Sequence, residues 1–295
     1  MHITVLGTGL MGAPVAIRLA EQGFTVTAWN RSAERAIERL GGRVPFEPDQ
    51  RVAMTPPDVL LLFLSDAAAI EHVLFGPHAA PLSGKAIIQM GTIAPQQSRD
   101  LQARCQAAGG DYLEAPVLGS IPEAREGRLL IMVGGREDQF ERFRPLFTAL
   151  GPDPRLIGPV GRAAALKLAL NQLIAGLTAS FALSLGFVQK EGVAVDDFMD
   201  ILRQSALYAP TFDKKLGKML DHHYANPNFP LQHLLKDVRL FLDAARDDGL
   251  CAESLKGIER VLARALRGGH GRDDYSALFE AVTTACPASP PTEED

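Results

Sequence analysis

The sequence predicts two consecutive domains, an α/β domain followed by an all-α domain. Up to about residue 160, short apolar runs alternate with amphipathic helical stretches, which is typical of a parallel sheet with crossover helices. After Gly161, alanine and leucine at helical spacing replace the β-branched runs. We therefore expect an α/β domain at 1–160, an all-helical domain at 161–286 and a frayed tail at 287–295, where the sequence is PASPPTEED.

Seven apolar runs are predicted to be strands of the first domain: Ile3–Leu6, Thr25–Trp29, Val59–Leu64, Ala86–Met90, Tyr112–Val117, Leu130–Val133 and Arg155–Ile157. Between the first two, the spacing predicts a helix over 14–21 that ends at Gly23. In the second domain we expect helices over 162–191, 196–204, 211–221, 231–248 and 251–267.

Composition and charge argue against several classes of protein. A chain of 295 residues with 46% hydrophobic residues and a net charge of −5 is expected to be globular and not to bind nucleic acid. Cys105, Cys251 and Cys286 form no CxxC pair, which favours free thiols in a reducing cytoplasm. His222 and His223 would point apart on a helix, so we expect no metal site.

Two segments could be mistaken for targeting or membrane segments. The N-terminal residues lack a basic region followed by an apolar stretch, so no signal peptide is expected there. Residues 168–189 carry no charge and are long enough to span a bilayer. They contain Asn171, Gln172 and Thr178 and have no aromatic belt, which favours a helix buried inside a protein and no membrane partner.

A GxGxxG loop, formed by Gly7, Gly9 and Gly12, stands between the first strand and the first helix. Its first glycine permits a tight turn, its second lets the backbone approach a pyrophosphate, and its third lets helix and strand pack closely. The helix N-terminus adds unpaired N–H groups for the phosphates. A glycine-rich turn without a ligand is the alternative, but this position favours a Rossmann-type dinucleotide-binding domain.

The end of the second strand indicates which cofactor is preferred. Asn30 stands 18 positions after Gly12, where an acidic residue would contact the adenosine ribose, and Arg31 and Ser32 follow it. A carboxylate would repel a 2′-phosphate, whereas the Arg31 guanidinium offers a fork of donors to it. The sequence thus favours NADPH over NADH, unless Arg31 is simply a solvated surface side chain.

The start of the second domain carries a candidate catalytic pair. Lys167 and Asn171 lie four residues apart, so they share one face of a helix made otherwise of alanine and leucine. A lysine facing a cleft could donate a proton to a carbonyl oxygen as hydride arrives, with Asn171 holding its ammonium group. A lysine that snorkels from a helix end for structural reasons has the same spacing.

Four segments, in order, resemble the motifs of the β-hydroxyacid dehydrogenase family, whose members include 3-hydroxyisobutyrate dehydrogenase and glyoxylate/succinic semialdehyde reductase. The segments span almost the whole chain. They are GTGLMGAPVA at 7–16 for the family's GxGxMGxPMA, EAPVLGSIPEAREG at 114–127 for DAPVSGGxxxAxxG, 158–171 for GxxGxxxKxxxN, and 236–240 for KDxxL.

The resemblance implies roles for particular residues and a helical domain like that of 6-phosphogluconate dehydrogenase. Lys167 would be the catalytic acid/base, with Asn171 beside it in the substrate site, and Lys236 would close over the cofactor. The segments 207–220 and 226–240 are most similar to the NADPH-dependent glyoxylate/succinic semialdehyde reductase branch, which also carries an Asn-Arg pair at the positions of Asn30 and Arg31. The remaining implied positions are Leu10, Met11, Leu64, Ser65 and Thr92 for the cofactor, and Leu118, Gly119, Ser120, Phe229 and Asp237 for the substrate.

One departure from the family pattern concerns the substrate. The serine whose hydroxyl helps to hold a substrate carboxylate is replaced by Leu118, so anchoring must pass to backbone N–H groups near Gly119, to Ser120 or to another residue. A lost hydrogen bond to a charged group costs about 1.5–3 kcal/mol, or roughly one to two decades in affinity. The pocket is therefore expected to prefer a less polar aldehyde or ketone. Arg162, one turn before Lys167, could also reach a substrate carboxylate or be solvated.

The expected protein is a cytoplasmic, NADPH-dependent oxidoreductase that reduces a small aldehyde, semialdehyde or oxo acid. The family implies a homodimer or homotetramer. An imine reductase is the first alternative, although those relatives generally place Asp or Tyr at the position of Lys167. A 3-hydroxyisobutyrate-type dehydrogenase working in the oxidative direction is another, and a cofactor-binding protein without catalysis is the third. The intact pair of Lys167 and Asn171 argues against the last.

Overall fold

The computed structural model describes residues 1–284, so the predicted tail and Cys286 lie outside the described residues. Two compact units are present, Met1–Leu170 and a second that begins at Asn171. The first unit is built on one sheet. Its strands are β1 His2–Leu6, β2 Thr25–Trp29, β3 Val59–Leu62, β4 Ala86–Gln89, β5 Asp111–Glu114, β6 Val117–Leu118, β7 Leu130–Gly134 and β8 Arg155–Gly158.

The sheet is wound in both directions from its first strand. Its order is β2-β1-β3-β4-β5-β7-β6, with β8 paired to β7, and β1 to β5 are all parallel. Strands β6 and β7 pair antiparallel, as do β5 and β7. Since the chain reverses its direction of winding between β1 and β3, the carboxyl ends of these two strands form the crevice where such folds bind ligands.

One predicted strand, Tyr112–Val117, is in fact two. Strand β5 ends at Glu114, and Val117 and Leu118 pair antiparallel with Ile131 and Leu130 of β7. Pro116 lies at the break, and proline has no N–H to donate to a ladder. The predicted third strand also extends too far, because pairing stops at Leu62.

The sheet has an apolar core on both faces. Alternate residues of β1 point to opposite sides, so Ile3 and Val5 belong to one cluster and Leu6 to the other. Phe143 and Phe147 fill the first cluster, and Tyr112 is fully buried in the second. The helices of this unit are α1 Gly12–Glu21, α2 Ala33–Leu40, α3 Gln50–Met54, α4 Ala67–Phe75, α5 Pro95–Ala107, α6 Ile121–Glu126 and α7 Glu137–Leu150.

The second unit is helical, as the alanine and leucine spacing predicts. Its core is formed by residues such as Phe181, Met199, Leu234 and Phe279. The long helix α8 begins in the first unit, so the division between the compact units falls inside it, ten residues after the predicted boundary at 160. The helices are α8 Arg162–Lys190, α9 Val195–Gln204, α10 Pro210–Leu220, α11 Leu231–Asp247, α12 Glu253–Arg267 and α13 Leu278–Thr283.

Within the described residues, α8 alone is long and apolar enough to cross a membrane. In its most apolar window 39% of the residues are buried. A core helix of a soluble protein passes the same test, so this finding is weak support for a membrane span.

Candidate active site

The glycine loop has a shape that only its glycines allow. Gly7 has φ +99°, and a Cβ on it would overlap the carbonyl group of Phe63 at the end of β3. A Cβ on Gly12 would overlap the Gly7 carbonyl oxygen. On Gly9, by contrast, a Cβ would meet nothing within 4 Å. The first and third glycines are thus required by packing, whereas the second faces open space, which fits a loop that a pyrophosphate approaches closely.

The start of α1 is also suited to phosphate. Leu10 and Met11 are half-buried, and Met11, at the N-cap, provides no side-chain hydrogen bond to the first turn of α1. Ala13 N–H donates to the Gly9 carbonyl at 3.3 Å and Pro14 has no N–H, so the Gly12 N–H and the positive end of the helix dipole are what the first turn offers an anion. Together with the open space at Gly9, these residues would hold the diphosphate of a dinucleotide.

Asn30 braces the glycine loop. Its Oδ1 accepts a hydrogen bond from the Thr8 N–H at 3.2 Å, and its Nδ2 donates to the Ser32 carbonyl at 3.0 Å. Ser32 and Arg31 are exposed. Arg35, in the first turn of α2, is also exposed, and neither arginine forms an ion pair with a carboxylate within residues 1–284. Arg35 was not predicted from the sequence, where it is one of several charged residues that follow Ser32.

The loops after β3 and β4 come together beside the glycine loop. The Leu64 Cδ2 atom lies 3.2 Å from the position of a Cβ on Gly7, and the Leu64 carbonyl oxygen lies 2.8 Å from that of a Cβ on Gly91. Ser65 is exposed and donates to the Asp66 carboxylate at 2.8 Å, while Thr92 is half-buried. Leu64 therefore lies between the glycine loop and the loop after β4, at the carboxyl ends of β1, β3 and β4.

The predicted substrate loop lies elsewhere, on the edge strand β6. Leu118 is half-buried, and Gly119 is exposed with φ +136°. The Ser120 N–H and hydroxyl both donate to Glu123 Oε2, at 2.8 and 2.7 Å. Since this capping box of α6 already uses both Ser120 donors, Ser120 is a poor replacement for the missing serine hydroxyl.

Lys167 lies in the second turn of α8 and is 9% exposed. The turn before it is held by Glu114, the last residue of β5, whose Oε1 accepts hydrogen bonds from the N–H groups of Gly161, Ala163 and Ala164 at 2.8–3.0 Å. Glu114 Oε2 accepts from the Ser98 hydroxyl. Burial raises the pKa of Glu114, and it outweighs these hydrogen bonds, which act in the opposite direction.

The role of Glu114 was not anticipated from the sequence. Its position in the EAPV segment suggested only a family motif. A signal did exist, because an acidic residue at the end of an otherwise buried strand needs a hydrogen-bonding partner.

In the second unit, the buried Asn171 and Asp237 form one polar group with the half-buried Lys236. Asn171 Nδ2 donates to Asp237 Oδ2 at 2.6 Å, and Lys236 Nζ forms an ion pair with Asp237 Oδ1 at 2.9 Å. Asn171 is 2% exposed, and its Oδ1 has no hydrogen-bond partner among the described residues. A buried acceptor without a partner is uncommon in a folded protein and is typical of a binding site.

Two further residues lie on or beside α11. Phe229, half-buried just before this helix, packs edge-on against the Tyr275 ring with the ring centroids 5.8 Å apart. His233 lies one turn before Asp237, and its pKa is lowered by burial and by the nearby Lys236 charge. His233 is thus held in its neutral form.

The histidine pair is not arranged as predicted. His222 and His223 follow the end of α10 instead of lying in it, and His222 has φ +49°. The His222 ring contacts the Glu280 carboxylate at 2.6 Å. Within residues 1–284, no group of three or more His, Cys, Asp or Glu residues is arranged to hold a metal ion.

Comparison with known proteins identifies both halves of the chain. Residues 2–159 match the NAD binding domain of 6-phosphogluconate dehydrogenase, and residues 161–282 match the NAD-binding domain of NADP-dependent 3-hydroxyisobutyrate dehydrogenase. Glyoxylate/succinic semialdehyde reductase 1 of Arabidopsis thaliana is 31% identical over 96% of this chain and 98% of its own length. The 2-hydroxy-3-oxopropionate reductase of Escherichia coli is 32% identical over 96% and 97%.

A solved structure supports the fold. That of 3-hydroxyisobutyrate dehydrogenase from Mycobacterium tuberculosis, with L-serine, matches with a TM-score of 0.83 at 22% identity, covering 96% of this chain and 99% of that one. The predicted fold, an α/β domain of the Rossmann type followed by a helical domain, is confirmed. From the matched domains and the two reductases, the chain belongs to the β-hydroxyacid dehydrogenase family, whose members are NAD(P)-dependent oxidoreductases that act on hydroxy acids and the corresponding carbonyl compounds.

Proposed function

We propose that this enzyme uses NADPH to reduce a small aldehyde, semialdehyde or oxo acid to the corresponding hydroxy compound. The observation that carries the proposal is the buried Lys167 at the start of α8, followed one turn later by Asn171 with an unpartnered buried acceptor. The two relatives, a glyoxylate/succinic semialdehyde reductase and a 2-hydroxy-3-oxopropionate reductase, support the same chemistry.

In the proposed reaction, a bound nicotinamide cofactor supplies a hydride. The Lys167 ammonium group donates a proton to the substrate's carbonyl oxygen, on which negative charge develops. In this proposal Asn171 Oδ1, a buried acceptor without a partner among the described residues, would receive a hydrogen bond during the reaction, and the bond from Asn171 Nδ2 to Asp237 fixes which way the amide points. In the reverse, oxidative direction, a neutral Lys167 would take the proton from the hydroxyl group instead.

The preference for NADPH is proposed from the surface after β2. Arg31, just before α2, and Arg35, in its first turn, are both exposed and form no ion pair with a carboxylate in the described part of the chain, so both are available to a 2′-phosphate. Asn30 supports this by bracing the loop, and it adds no negative charge that would repel the phosphate.

Substitution of Arg31 tests the cofactor proposal. Arg31→Ala should raise the KM for NADPH by about 10- to 100-fold, as expected for one lost hydrogen bond to a charged group, and leave the KM for NADH nearly unchanged. Arg267→Ala, which removes an exposed arginine of α12, is the matched control and should alter neither value. An equal loss for both cofactors in Arg31→Ala would contradict the assignment.

A panel of carbonyl compounds tests the proposed reaction. NADPH oxidation should be fastest with short semialdehydes and other aldehydes that lack a carboxylate close to the carbonyl group, and slower with glyoxylate, because Leu118 offers no hydrogen bond to that carboxylate. Cyclic imines belong in the panel. Turnover of imines with no turnover of carbonyl compounds would favour an imine reductase and overturn the proposal.

We also propose a homodimer or homotetramer located in the cytoplasm. Support for assembly comes from an apolar stripe on α8, defined by Leu173, Leu177, Leu183 and Phe187, whose side chains are all exposed. The stripe extends for about 21 Å at 1.5 Å per residue, interrupted by the exposed Ser180, and exposed apolar side chains over that length favour association. The free thiols of Cys105 and Cys251 are compatible with a reducing compartment.

A further inference from the structure

Glu114 connects the central sheet to the helix that carries Lys167. It is 1% exposed and lies at the carboxyl end of β5, 47 to 50 residues before the N–H groups that its Oε1 binds. The contact is therefore not a local helix cap. It is a tertiary contact between the sheet and the first turn of α8.

The first turn of α8 has no other side-chain anchor within the described residues. The Arg162 and Ala165 N–H groups donate to backbone carbonyls of the preceding loop, at 3.1 and 3.0 Å. The two N–H groups between them, of Ala163 and Ala164, donate to Glu114. All four N–H groups that a helix start leaves open are thus satisfied, and the carboxylate fixes both the axial position and the rotation of the turn.

The carboxylate itself is held from its other side. The Tyr112 hydroxyl lies 2.9 Å from Ser98 Oγ, and the Ser98 hydroxyl donates to Glu114 Oε2, so Tyr112 is the donor to Ser98. Gly134, paired with Glu114 across β5 and β7, completes the fit, because a Cβ there would overlap the carboxylate. The side chain at 114 is therefore matched in length to the gap between β5 and α8.

We propose that Glu114 is a positioning residue for Lys167. The length of the Glu114 side chain sets the position of α8 and thereby the position of the Lys167 ammonium group. The inference rests on the proposed role of Lys167 as proton donor. Lys167 follows Ala163 by one helical turn, so a shift of the first turn moves Lys167 with it. A displacement of about 1 Å at a reacting group can cost as much as 100-fold in rate.

Two substitutions separate length from charge. Glu114→Asp keeps the charge but withdraws the carboxylate by about 1.5 Å, the length of one C–C bond, so α8 must move or lose its bonds. We expect kcat to fall about 10- to 100-fold, with the KM for NADPH within twofold of wild type. Glu114→Gln keeps the length and an oxygen that accepts the three N–H groups, and should lose less than threefold in kcat.

Ser98→Ala is the comparison for a merely structural effect. It removes the hydrogen bond to Glu114 Oε2 but leaves the side-chain length and the three bonds to α8, so it should lower the melting temperature and lower kcat much less than Glu114→Asp does. Gly134→Ala should lower kcat by pushing the carboxylate off the helix. In the double variant with Glu114→Asp, the shorter side chain makes room for the new methyl group. The fold loss of kcat in the double variant should therefore be much smaller than the product of the two single losses.

Three results would overturn the inference. They are a Glu114→Asp enzyme with wild-type kcat, a larger loss in Glu114→Gln than in Glu114→Asp, and losses of kcat that follow melting temperature across all variants including Ser98→Ala. If Glu114→Asp does not fold, Gly134→Ala replaces it in the test. A fall in kcat of Gly134→Ala then supports the inference, and a wild-type kcat contradicts it. Wild-type activity in Lys167→Met would instead contradict the proposed function, so the two failures are distinguishable.

Discussion

Leu118 is the residue at which this chain departs most clearly from its family's substrate motif. It is half-buried at the end of β6, and the nearby Ser120 hydroxyl already donates to Glu123. No side-chain hydroxyl of the segment 118–120 is therefore left to bind a substrate carboxylate.

Restoring the hydroxyl should restore recognition of that carboxylate. Leu118→Ser is expected to raise kcat/KM for glyoxylate by about 10- to 100-fold, because a hydrogen bond to a charged group is worth about 1.5–3 kcal/mol. For a neutral aldehyde of similar size, kcat/KM should stay the same or fall. Steady-state assays with both substrates measure the ratio, and an equal change for the two would show that position 118 does not contact the carboxylate.

At the scale of single residues, the candidate site was partly predictable. The spacing of Lys167 and Asn171 is local, so it can be read from one helix. The partner of Asn171 is Asp237, 66 residues away, and this contact was not predicted, because the family resemblance indicated Asp237 only as a residue of the substrate pocket. The contact of Glu114 with α8 is equally remote and was missed, because a single sequence does not say which buried acid meets which helix.

Helix α11 provides a pH-dependent contribution to stability. The pKa of His233 is lowered from about 6.5 in the folded protein, by burial first and by Lys236 second. The unfolded chain therefore binds the proton more readily, and the free energy of unfolding falls as the pH drops from 6.5 through the lowered pKa. Above pH 6.5 this contribution to stability is fully present.

Substitution of His233 by Gln should remove that dependence. Urea unfolding of wild type and His233→Gln at pH 7.5 and 5.5 gives the difference in free energy of unfolding at each pH. Wild type should lose stability relative to the variant on going to pH 5.5, since all other groups cancel in the comparison. The lowered pKa would be contradicted if the difference in free energy of unfolding between wild type and His233→Gln were the same at both pH values. It would also be contradicted if wild type gained stability relative to the variant at pH 5.5.

At the scale of elements, the strands and the long helices were predictable and some of their ends were not. Buried parallel strands are continuous apolar runs, and β2 was predicted with the bounds that the structure has. The break between β5 and β6 was not predicted, because the second half of the run Tyr112–Val117 is apolar throughout. Pro116 does indicate the break, since proline has no N–H to donate to a neighbouring strand. The ends of α10 and α12 differ by one or two residues, as fraying ends usually do.

At the scale of the whole molecule, the apolar stripe on α8 bears on assembly. Leu183 and Phe187 are each 63% exposed, and they lie one turn apart in the same stripe. If the stripe is an interface between copies of the chain, a charge placed in it should separate them, because a buried charge without a partner is costly.

Light scattering after gel filtration tests this proposal. Wild type is expected to elute with the mass of a dimer or tetramer, and Leu183→Glu with the mass of a monomer or with a strongly concentration-dependent mass. Leu207→Glu, at an exposed leucine outside the stripe, is the matched control and should assemble as wild type does. The same mass for Leu183→Glu and Leu207→Glu would contradict the proposal, and so would a monomeric wild type.

Net charge is a poor guide to what such a molecule binds. The chain carries a net charge of −5, yet its family binds a polyanionic cofactor. Local groups resolve the difference, since the start of α1 and the exposed Arg31 and Arg35 provide positive potential where a phosphate would lie. Whole-chain composition thus argues against extended nucleic-acid surfaces more reliably than against a small phosphorylated ligand.

The most direct test of the proposed chemistry is the rate of NADPH oxidation by Lys167→Met with the best carbonyl substrate of the panel. Methionine keeps the apolar stem of the lysine and removes the proton donor. The account predicts a loss of kcat of about 10²- to 10⁴-fold, typical of a missing general acid, while the dissociation constant for NADPH stays within a few-fold of wild type. A variant that oxidises NADPH with the kcat of wild type would contradict it.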